Sequence, residues 1–291
     1  MEKLAVIVDT FPRWSERFIA RELGELQRRG VDLTVFCLKA GEPPPGDEDW
    51  RGLIERRVVL PSGLLRREPK GATPMMRERW AEARRGLGLR GYKTLGRAVA
   101  LRDRLIAGRF GHVHAHFANL PSTLGWLAAL EARLPFSFSA HARDLFVEPQ
   151  LLAQKLADCV RVFTCHGRAQ AFLAAQAGHK DKVQLMRHGL PLEQYQCRLE
   201  IEEPGLGFVA AGRFVPKKGL DVLLDAAARL ARAKQQFALT LVGDGPERRN
   251  LKAKIRALRL AGQVVLMEPV SGTVLRDILS GADLVVAPFR T

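Results

Sequence analysis

The sequence has few cysteines and no long apolar segment. Its four cysteines form no C-x-x-C pair and no cysteine–histidine group with zinc-site spacing: Cys37, Cys159, Cys165 and Cys197. We therefore expect reduced thiols in a cytosolic protein. No apolar run approaches the ~20 residues that a membrane-spanning helix needs. The N-terminus begins directly with a strand pattern and without a signal-peptide pattern, so the sequence predicts a cytoplasmic location.

Negative charge is also scarce. The chain has 46 lysine and arginine residues against 31 aspartate and glutamate residues, and its net charge is +15. This excess indicates an anionic partner, and composition leaves nucleic acid, anionic lipid and phosphorylated substrates open. No G-x-G-x-x-G sequence follows the first predicted strand, which argues against a nicotinamide or flavin cofactor.

Apolar strand patterns alternate with helical patterns along the chain. The run from Leu4 to Val8 is typical of a buried parallel strand, and Ser15 is positioned to cap the helix that follows. This order predicts an α/β protein built on parallel sheets. The length of 291 residues suits two domains, which we place at 1–200 and 206–291, joined by a polar linker from Arg198 to Gly205.

One loop with two cations attracts particular attention. Phe208 to Ala211 is predicted to be a buried strand, Gly212 ends it, and a helix with a regular apolar face begins after Gly219. Arg213 and Lys218 therefore lie where ligands bind in open α/β sheets, next to a helix N-terminus that favours anions. The pattern suits a diphosphate, although a solvated basic loop would have the same spacing.

This loop resembles the donor-binding loop of the GT-B glycosyltransferases of family 4, the glycosyl transferases group 1. That family holds the donor diphosphate with an arginine and a lysine five residues apart in a G-R-x-x-x-x-K-G sequence, here Arg213 and Lys218. The resemblance implies two Rossmann-like parallel-sheet domains. It also implies transfer of a sugar, with retention of configuration, from a nucleotide diphosphate sugar to a hydroxyl acceptor. It implies no resident cofactor and no bound metal.

Further segments of the second domain resemble the family near its nucleotide. Gly243 and Gly245 belong to a G-x-G-P sequence, and Pro269 and Val270 belong to the loop that touches the base in family members. Together with Gly212, these residues form the predicted nucleotide-binding set. Glycines also allow a ligand to approach the backbone closely.

The first domain supplies the candidate residues for the sugar and the acceptor. His141 and Asp144 match the H-x-x-D segment of the family, in which the histidine lies beside the transferred sugar. The residues alone leave two alternatives open: a histidine that packs beneath a loop, and an aspartate that only caps the next helix. Residues 11–19 resemble the start of exopolysaccharide- and colanic-acid-type members. We expect the acceptor to lie against this segment and against residues 116–119. The predicted acceptor-side residues are Ser15, Glu16, His116 and Asn119.

Three histidines alternate along one predicted strand. His112, His114 and His116 share a strand face, which is a formal metal geometry. No carboxylate or cysteine lies nearby in sequence, so we predict no metal there. We expect His116, at the end of the strand, to be the one that reaches the cleft.

The helical residues 77–109 carry ten cations and three anions. A solvated helix face explains this pattern, and so does a surface that docks on an anionic membrane. In the second case the apolar contacts would be these: Trp80, Leu87, Leu89 and Tyr92. Nucleic acid is not favoured as a partner, because no helix-turn-helix, zinc or RNP-like pattern accompanies the charge.

The chain ends at Thr291, before the E-x7-E segment that contacts the donor sugar and ribose in family members. We therefore expect an incomplete second domain and little activity from this chain alone. The predicted function is a retaining glycosyltransferase of polysaccharide or glycolipid biosynthesis, with a saccharide or lipid-linked acceptor. The alternative is a non-catalytic nucleotide-sugar-binding or regulatory fragment.

Overall fold

The computed structural model describes residues 3–43, 50–61, 74–147, 149–176, 180–190, 192–195 and 206–290, without the side chains of residue 75 and residues 89–92. The described residues divide into two compact units, one ending at Gly189 and the other beginning at Leu190. The predicted linker from Arg198 to Gly205 lies outside the described residues.

The first unit is built on a seven-stranded parallel sheet with the order β3-β2-β1-β4-β5-β6-β7. Its strands are β1 (Lys3–Phe11), β2 (Leu33–Ala40), β3 (Arg57–Val59), β4 (Phe110–His116), β5 (Phe136–Ala140), β6 (Arg161–Thr164) and β7 (Val183–Leu185). Because the strands are parallel, their carboxyl ends all meet at one edge of the sheet. The predicted α/β class is confirmed.

Helices cover both faces of this sheet. They are α1 (Arg17–Arg28), α2 (Arg51–Glu55), α3 (Pro74–Leu87), α4 (Leu89–Ala107), α5 (Leu120–Ala132), α6 (Ala142–Phe146), α7 (Leu152–Asp158) and α8 (Gly167–Ala175). Successive side chains of β1 alternate between two apolar clusters, with Ala5 and Ile7 in one and Val6 and Val8 in the other. All four are fully buried, which explains the uninterrupted apolar run that predicted this strand.

The start of α1 differs from the prediction. The helix begins at Arg17, after a short 3-10 turn at Trp14–Glu16, and Ser15 is exposed and does not cap it. Within the turn, the Glu16 amide donates to the Arg13 carbonyl and the Arg13 guanidinium pairs with the Glu16 carboxylate at 3.0 Å.

The basic segment forms two helices, α3 and α4, on either side of Gly88. Trp80 does not project into solvent as a lipid contact would. It is 2% exposed, because Met76, Trp80 and Ala83 form the face of α3 that packs into the main core. Several cations of these helices are also paired, as when Arg79 bridges Glu82 and Asp158.

The second unit contains a four-stranded parallel sheet with the order β10-β9-β8-β11. Its strands are β8 (Leu206–Ala211), β9 (Phe237–Val242), β10 (Val264–Met267) and β11 (Leu284–Val285), and its helices are α9 (Leu220–Arg232), α10 (Arg248–Ala257) and α11 (Gly272–Ser280). Phe214, Leu224 and Leu241 lie fully buried in its core. Among the described residues, each helix is too short or too polar to cross a lipid bilayer.

Replacing Trp80 by alanine should lower the free energy of unfolding by about 3–5 kcal/mol, because a large buried side chain leaves a cavity. Urea unfolding followed by circular dichroism measures the change. Trp14→Ala is the matched control: Trp14 is 36% exposed, and its replacement should have a much smaller effect. Equal effects of the two replacements would contradict the buried position of Trp80.

Candidate functional site

The loop after β8 has the predicted strand–loop–helix form. A 3-10 turn covers Pro216–Lys218, Gly219 adopts a left-handed conformation with φ of 63°, and α9 begins at Leu220. A side chain at Gly219 would collide with the carbonyl oxygen of Pro288. Glycine is therefore needed both for the backbone conformation and for the close packing of the segment after β11.

Arg213 and Lys218 lie together at the carboxyl edge of the second sheet. They line one pocket with these residues: Ala210, Ala211, Gly212, Leu220, Val286, Ala287, Pro288 and Phe289. Arg213 is exposed and makes no ion pair with the part of the chain that the structure describes. The pocket thus offers two cations beside the N-terminus of α9, an arrangement that attracts a phosphorylated ligand.

The lysine ammonium has an aromatic neighbour. Lys218 Nζ lies 4.1 Å from the centroid of the Phe289 ring and 3.6 Å from the point that a Cβ atom would occupy at Gly212. Burial, and secondarily the charge of Lys217, lowers the pKa of Lys218. An incoming anion would oppose both effects and favour the charged ammonium.

The glycines of the G-x-G-P sequence also have a packing role. A side chain on Gly243 would collide with the Gly212 carbonyl oxygen, and one on Gly245 with the Phe214 carbonyl oxygen. The Phe214 amide also donates to the Asp244 carbonyl at 2.8 Å. In the structure these glycines let two loops of the same sheet edge approach each other, and this contact shapes the pocket that holds Arg213.

The predicted base-contacting residues lie at the same edge. Pro269 is exposed and Val270 is half-buried, and both follow the end of β10. Ser271 then caps α11 by accepting a hydrogen bond from the Val274 amide at 3.3 Å. The structure thus brings the loops after β8, β9 and β10 together, as the parallel order requires.

In the first unit, the candidate histidines gather around Phe18. Its ring centroid lies 5.2 Å from that of His141 and 4.2 Å from that of His188. The ring of Phe117 lies 4.9 Å from His141. These aromatic side chains come from α1 and from the carboxyl ends of β4, β5 and β7. Phe18, which follows the predicted acceptor-side residues on α1, therefore packs directly on His141, the predicted catalytic histidine.

His141 follows directly after β5. Its Nε2 atom is buried without a hydrogen-bond partner among the described residues, and its Nδ1 atom lies 3.8 Å from Cys165 Sγ. Burial, assisted by the charges of His188 and His166, lowers the pKa of His141 to about 4. The imidazole is therefore neutral near pH 7, and it can donate or accept a hydrogen bond without carrying charge.

Asp144 is 2% exposed and binds the backbone around it. Its carboxylate accepts hydrogen bonds from the His141 amide, at 3.0 and 3.1 Å, and a short one from the Ala118 amide. Burial raises its pKa, opposed by these hydrogen bonds and by the charge of Lys155. These contacts match the capping alternative of the sequence analysis, and through them Asp144 positions His141.

A buried lysine that the sequence analysis missed supports this junction. Lys155 is fully buried, and its ammonium donates to the Ala118 carbonyl at 2.7 Å and to the hydroxyls of Ser122 and Thr123 at 2.9 and 3.3 Å. Burial lowers its pKa to about 7, against the charge of Asp144. The three acceptors satisfy the three donors of an ammonium group.

The acceptor-side residues occupy different environments. Ser15 is exposed, and Glu16 is half-buried with its pKa raised, first by burial. Asn119 precedes α5, and its Oδ1 atom is buried without a partner in the described part of the chain. His116 does not reach the surface as expected: it is 0% exposed, because the ring of Phe18 packs edge-on to it at 6.4 Å.

The other strand histidines also lie inward. His114 shares hydrogen bonds with the hydroxyls of Ser137 and Ser139, at 2.8 and 3.0 Å. In the structure the carboxylate of Glu22, on α1, lies close to His114 and His116. Because Glu22 is far from these histidines in sequence, the sequence analysis did not include it. Burial raises the pKa of Glu22 to about 7, which fits a polar cluster held neutral inside the protein.

Two family descriptions together match most of the chain. "Glycosyltransferase Family 4" matches residues 15–194, and "Glycosyl transferases group 1" matches residues 194–291. The D-inositol 3-phosphate glycosyltransferase of Nocardia farcinica is 25% identical over 93% of this chain and 63% of that protein. The GDP-mannose-dependent phosphatidylinositol monomannoside mannosyltransferase of Mycolicibacterium smegmatis is 26% identical over 95% of this chain and 69% of that protein.

Solved structures share the fold. The Anabaena protein HepE, in complex with UDP, has a TM-score of 0.67 and 15% identity, covering 100% of this chain and 75% of that one. WaaG, a glycosyltransferase involved in lipopolysaccharide biosynthesis, has a TM-score of 0.62 and 13% identity, covering 98% and 75%. This chain spans 63% of the length of the Nocardia relative, and its fold matches that of the solved structures.

Replacing Gly243 by alanine should destabilise the second unit by about 3 kcal/mol or more, because the new Cβ atom meets the Gly212 carbonyl at a φ of 143°. Differential scanning calorimetry measures the loss. Gly262→Ala is the control in the same unit, since no atom lies within 4 Å of its Cβ position. Wild-type stability of Gly243→Ala would refute the contact between the loops.

Acid should destabilise the first unit. Burial lowers the pKa of His114 to about 3, of His141 to about 4, and of His116 well below its ordinary value of 6.5. At a pH between the ordinary histidine pKa of 6.5 and these lowered pKa values, the unfolded chain binds more protons than the folded chain. Each histidine therefore lowers the free energy of unfolding by roughly 1.4 kcal/mol per pH unit as the pH drops from about 6.5 to about 4. Glu22, whose pKa burial raises to about 7, acts in the opposite direction, and the three histidines outweigh it.

His116→Leu removes one of these titrating groups, so its urea midpoint should fall less steeply with acid than that of the wild type. The measurement is urea unfolding at several pH values between about 7 and about 4.5. Parallel pH dependences of the two proteins would show that His116 does not titrate as a buried group.

Proposed function

The chain belongs to the glycosyltransferases of family 4, and from this membership we propose that it acts in the transfer of a sugar from a nucleotide diphosphate sugar to a hydroxyl acceptor. The observation that carries the proposal is the pocket of the second unit, where Arg213 and Lys218 lie beside the N-terminus of α9. Because the chain spans 63% of the Nocardia relative, the activity of the whole protein is part of this proposal.

The charges of the pocket suit the leaving group of such a reaction. Cleavage of the bond between sugar and diphosphate leaves additional negative charge on the diphosphate. The planar guanidinium of Arg213 can bind two phosphate oxygens at once, and Lys218 supplies a compact positive charge. These groups, with the helix N-terminus, would stabilise the charge as it develops, and the proposal requires no resident cofactor.

The donor nucleotide is proposed to carry either uracil or guanine as its base. HepE structures contain UDP and glucose or UDP-glucose, and the Mycolicibacterium relative is named as GDP-mannose-dependent. We assign Pro269 and Val270 to the base, since they follow β10 at the edge of the sheet that carries the two cations. Gly212 and the loop contact made by Gly243 and Gly245 would shape the space for the diphosphate.

His141 is assigned to the sugar. It is neutral near pH 7 because burial lowers its pKa to about 4, so it would orient a hydroxyl group by hydrogen bonding. Asp144 would act through His141, since its carboxylate holds the His141 amide. Retention of configuration follows the family assignment.

The acceptor side is assigned to the exposed start of α1 and the loop before α5. The candidates for contact with the acceptor are Ser15, Glu16 and Asn119. His116 is fully buried, so it would support these residues by packing and would not touch the acceptor. A saccharide or lipid-linked acceptor of polysaccharide or glycolipid biosynthesis fits this assignment. Peripheral contact with an anionic membrane would use these exposed cations of α3 and α4 rather than Trp80: Arg77, Arg85, Lys93 and Arg104.

The proposal is tested first by ligand binding to the 291-residue chain. Isothermal titration calorimetry with UDP, GDP, UDP-glucose and GDP-mannose should detect one nucleotide series, and the matching monophosphate should bind more weakly. Arg213→Ala and Lys218→Met should each reduce the affinity about tenfold or more, because each removes a charge-assisted contact. Arg232→Ala is the control, since Arg232 is exposed at the opposite end of α9.

A transfer assay then separates catalysis from binding. The assay uses a chain extended to the length of its relatives. The expected result is incorporation of radiolabelled sugar into a hydroxyl acceptor, with a large loss of kcat in His141→Asn and unchanged donor affinity. Donor binding without transfer would favour the non-catalytic nucleotide-sugar-binding alternative. Failure of both nucleotide series to bind would overturn the proposed function.

A further inference from the structure

Three potential metal ligands meet at the carboxyl edge of the first sheet. His141 follows β5, Cys165 follows β6, and His188 lies shortly after β7. These three strands are neighbours in the parallel sheet, so their ends converge. One ligand atom from each residue lies within 4.8 Å of the other two. We call this group the His–Cys–His cluster.

The separation of two of the three ligands suits a tetrahedral ion. His141 Nδ1 and Cys165 Sγ are 3.8 Å apart. In a tetrahedral site with Zn–S of about 2.3 Å and Zn–N of about 2.0 Å, a nitrogen and a sulfur ligand are separated by about 3.5 Å. A zinc ion could therefore bridge these two atoms with little movement of the backbone.

The ligand atoms are also available. His141 Nε2 is buried without a described partner. The ring also accepts from the Asp144 amide in a capping box, and its Nδ1 faces the Cys165 sulfur. Cys165 is half-buried and carries a free thiol, and His188 is exposed. Phe18 packs against both imidazoles and limits their rotation. Because His188 is exposed, solvent reaches the cluster and can supply water as a fourth ligand.

A second group of ligands is a weaker candidate. Glu22, His114 and His116 also approach one another within 4.8 Å. Both ring nitrogens of His114, however, already share hydrogen bonds with Ser137 and Ser139. A metal there would have to break one of these bonds inside the protein, whereas the His–Cys–His cluster includes an unpartnered Nε2 atom on His141 and the exposed ring of His188.

We propose that His141, Cys165 and His188 bind a zinc-class divalent cation, with water in the fourth position. A thiolate and two imidazoles select soft or borderline transition metals over Mg²⁺ and Ca²⁺, which prefer oxygen ligands. Binding converts the Cys165 thiol to a thiolate and releases its proton to solvent. Where the proposed function holds, the ion occupies His141 and competes with the sugar, so zinc inhibits transfer.

The binding test uses Co²⁺ as a spectroscopic probe for zinc, with the purified 291-residue chain under reducing conditions. Titration should produce a thiolate-to-cobalt charge-transfer band and the visible absorption of a tetrahedral ion at one equivalent, and Zn²⁺ should abolish both. Cys165→Ser should eliminate the charge-transfer band. His188→Asn, a change at an exposed position, should weaken Co²⁺ binding about tenfold or more.

The remaining cysteines provide matched controls, and the band should persist in each single variant: Cys37→Ala, Cys159→Ala and Cys197→Ala. Urea unfolding verifies that each variant is folded. Absence of the band in the wild type, its survival in Cys165→Ser, or unchanged affinity in His188→Asn would overturn the metal site. Donor affinity of the second unit is measured separately, so failure of the metal site is distinguishable from failure of the proposed function.

Discussion

The carboxylate of Asp144 holds two neighbouring strand ends in register at the edge of the first sheet. It accepts hydrogen bonds from the amide of His141, after β5, and from the amide of Ala118, after β4. Lys155 binds the carbonyl of the same Ala118 from the other side. A buried carboxylate and a buried ammonium are each costly unless they are paired and fully hydrogen-bonded. Their presence here fixes the backbone from which His141 projects.

The second unit positions its candidate residues by other means, and none of its described charged side chains is buried. Its pocket depends on close approach of backbone to backbone, which the small size of Gly243 and Gly219 permits. The charged groups, Arg213 and Lys218, then lie at the surface of a rigid frame. The two units therefore position their candidate residues by different physical means, one by a polar network in the core and the other by glycine contacts.

The sequence predicts features that are encoded locally. The loop carrying Arg213 and Lys218, and the turn joining His141 to Asp144, could be identified because strand, turn and helix signals lie within about a dozen residues of one another. The burial of Trp80 could not be foreseen from the excess of cations around it, because the partner helices that enclose it come from elsewhere in the chain.

Long-range contacts are what sequence patterns leave out. Cys165 and His188 join His141 only because β5, β6 and β7 are adjacent in the sheet. Lys155 carries no local signal of its importance, since its acceptors come from the other side of β5 in sequence. The G-x-G-P glycines show the reverse case: the residues were recognised, and the structure adds loop packing to the expected role.

The aromatic ring of Phe289 gives Lys218 a substitute partner while no anion is bound. At 4.1 Å from the ring centroid, the ammonium gains a cation–π attraction of about 0.5–2 kcal/mol. A ligand that draws Lys218 toward its phosphates gives up part of this attraction, so the net gain is smaller than that of a newly formed ion pair. The contact with the ring therefore lowers the affinity of a ligand that draws the ammonium away, by no more than the energy of the contact itself.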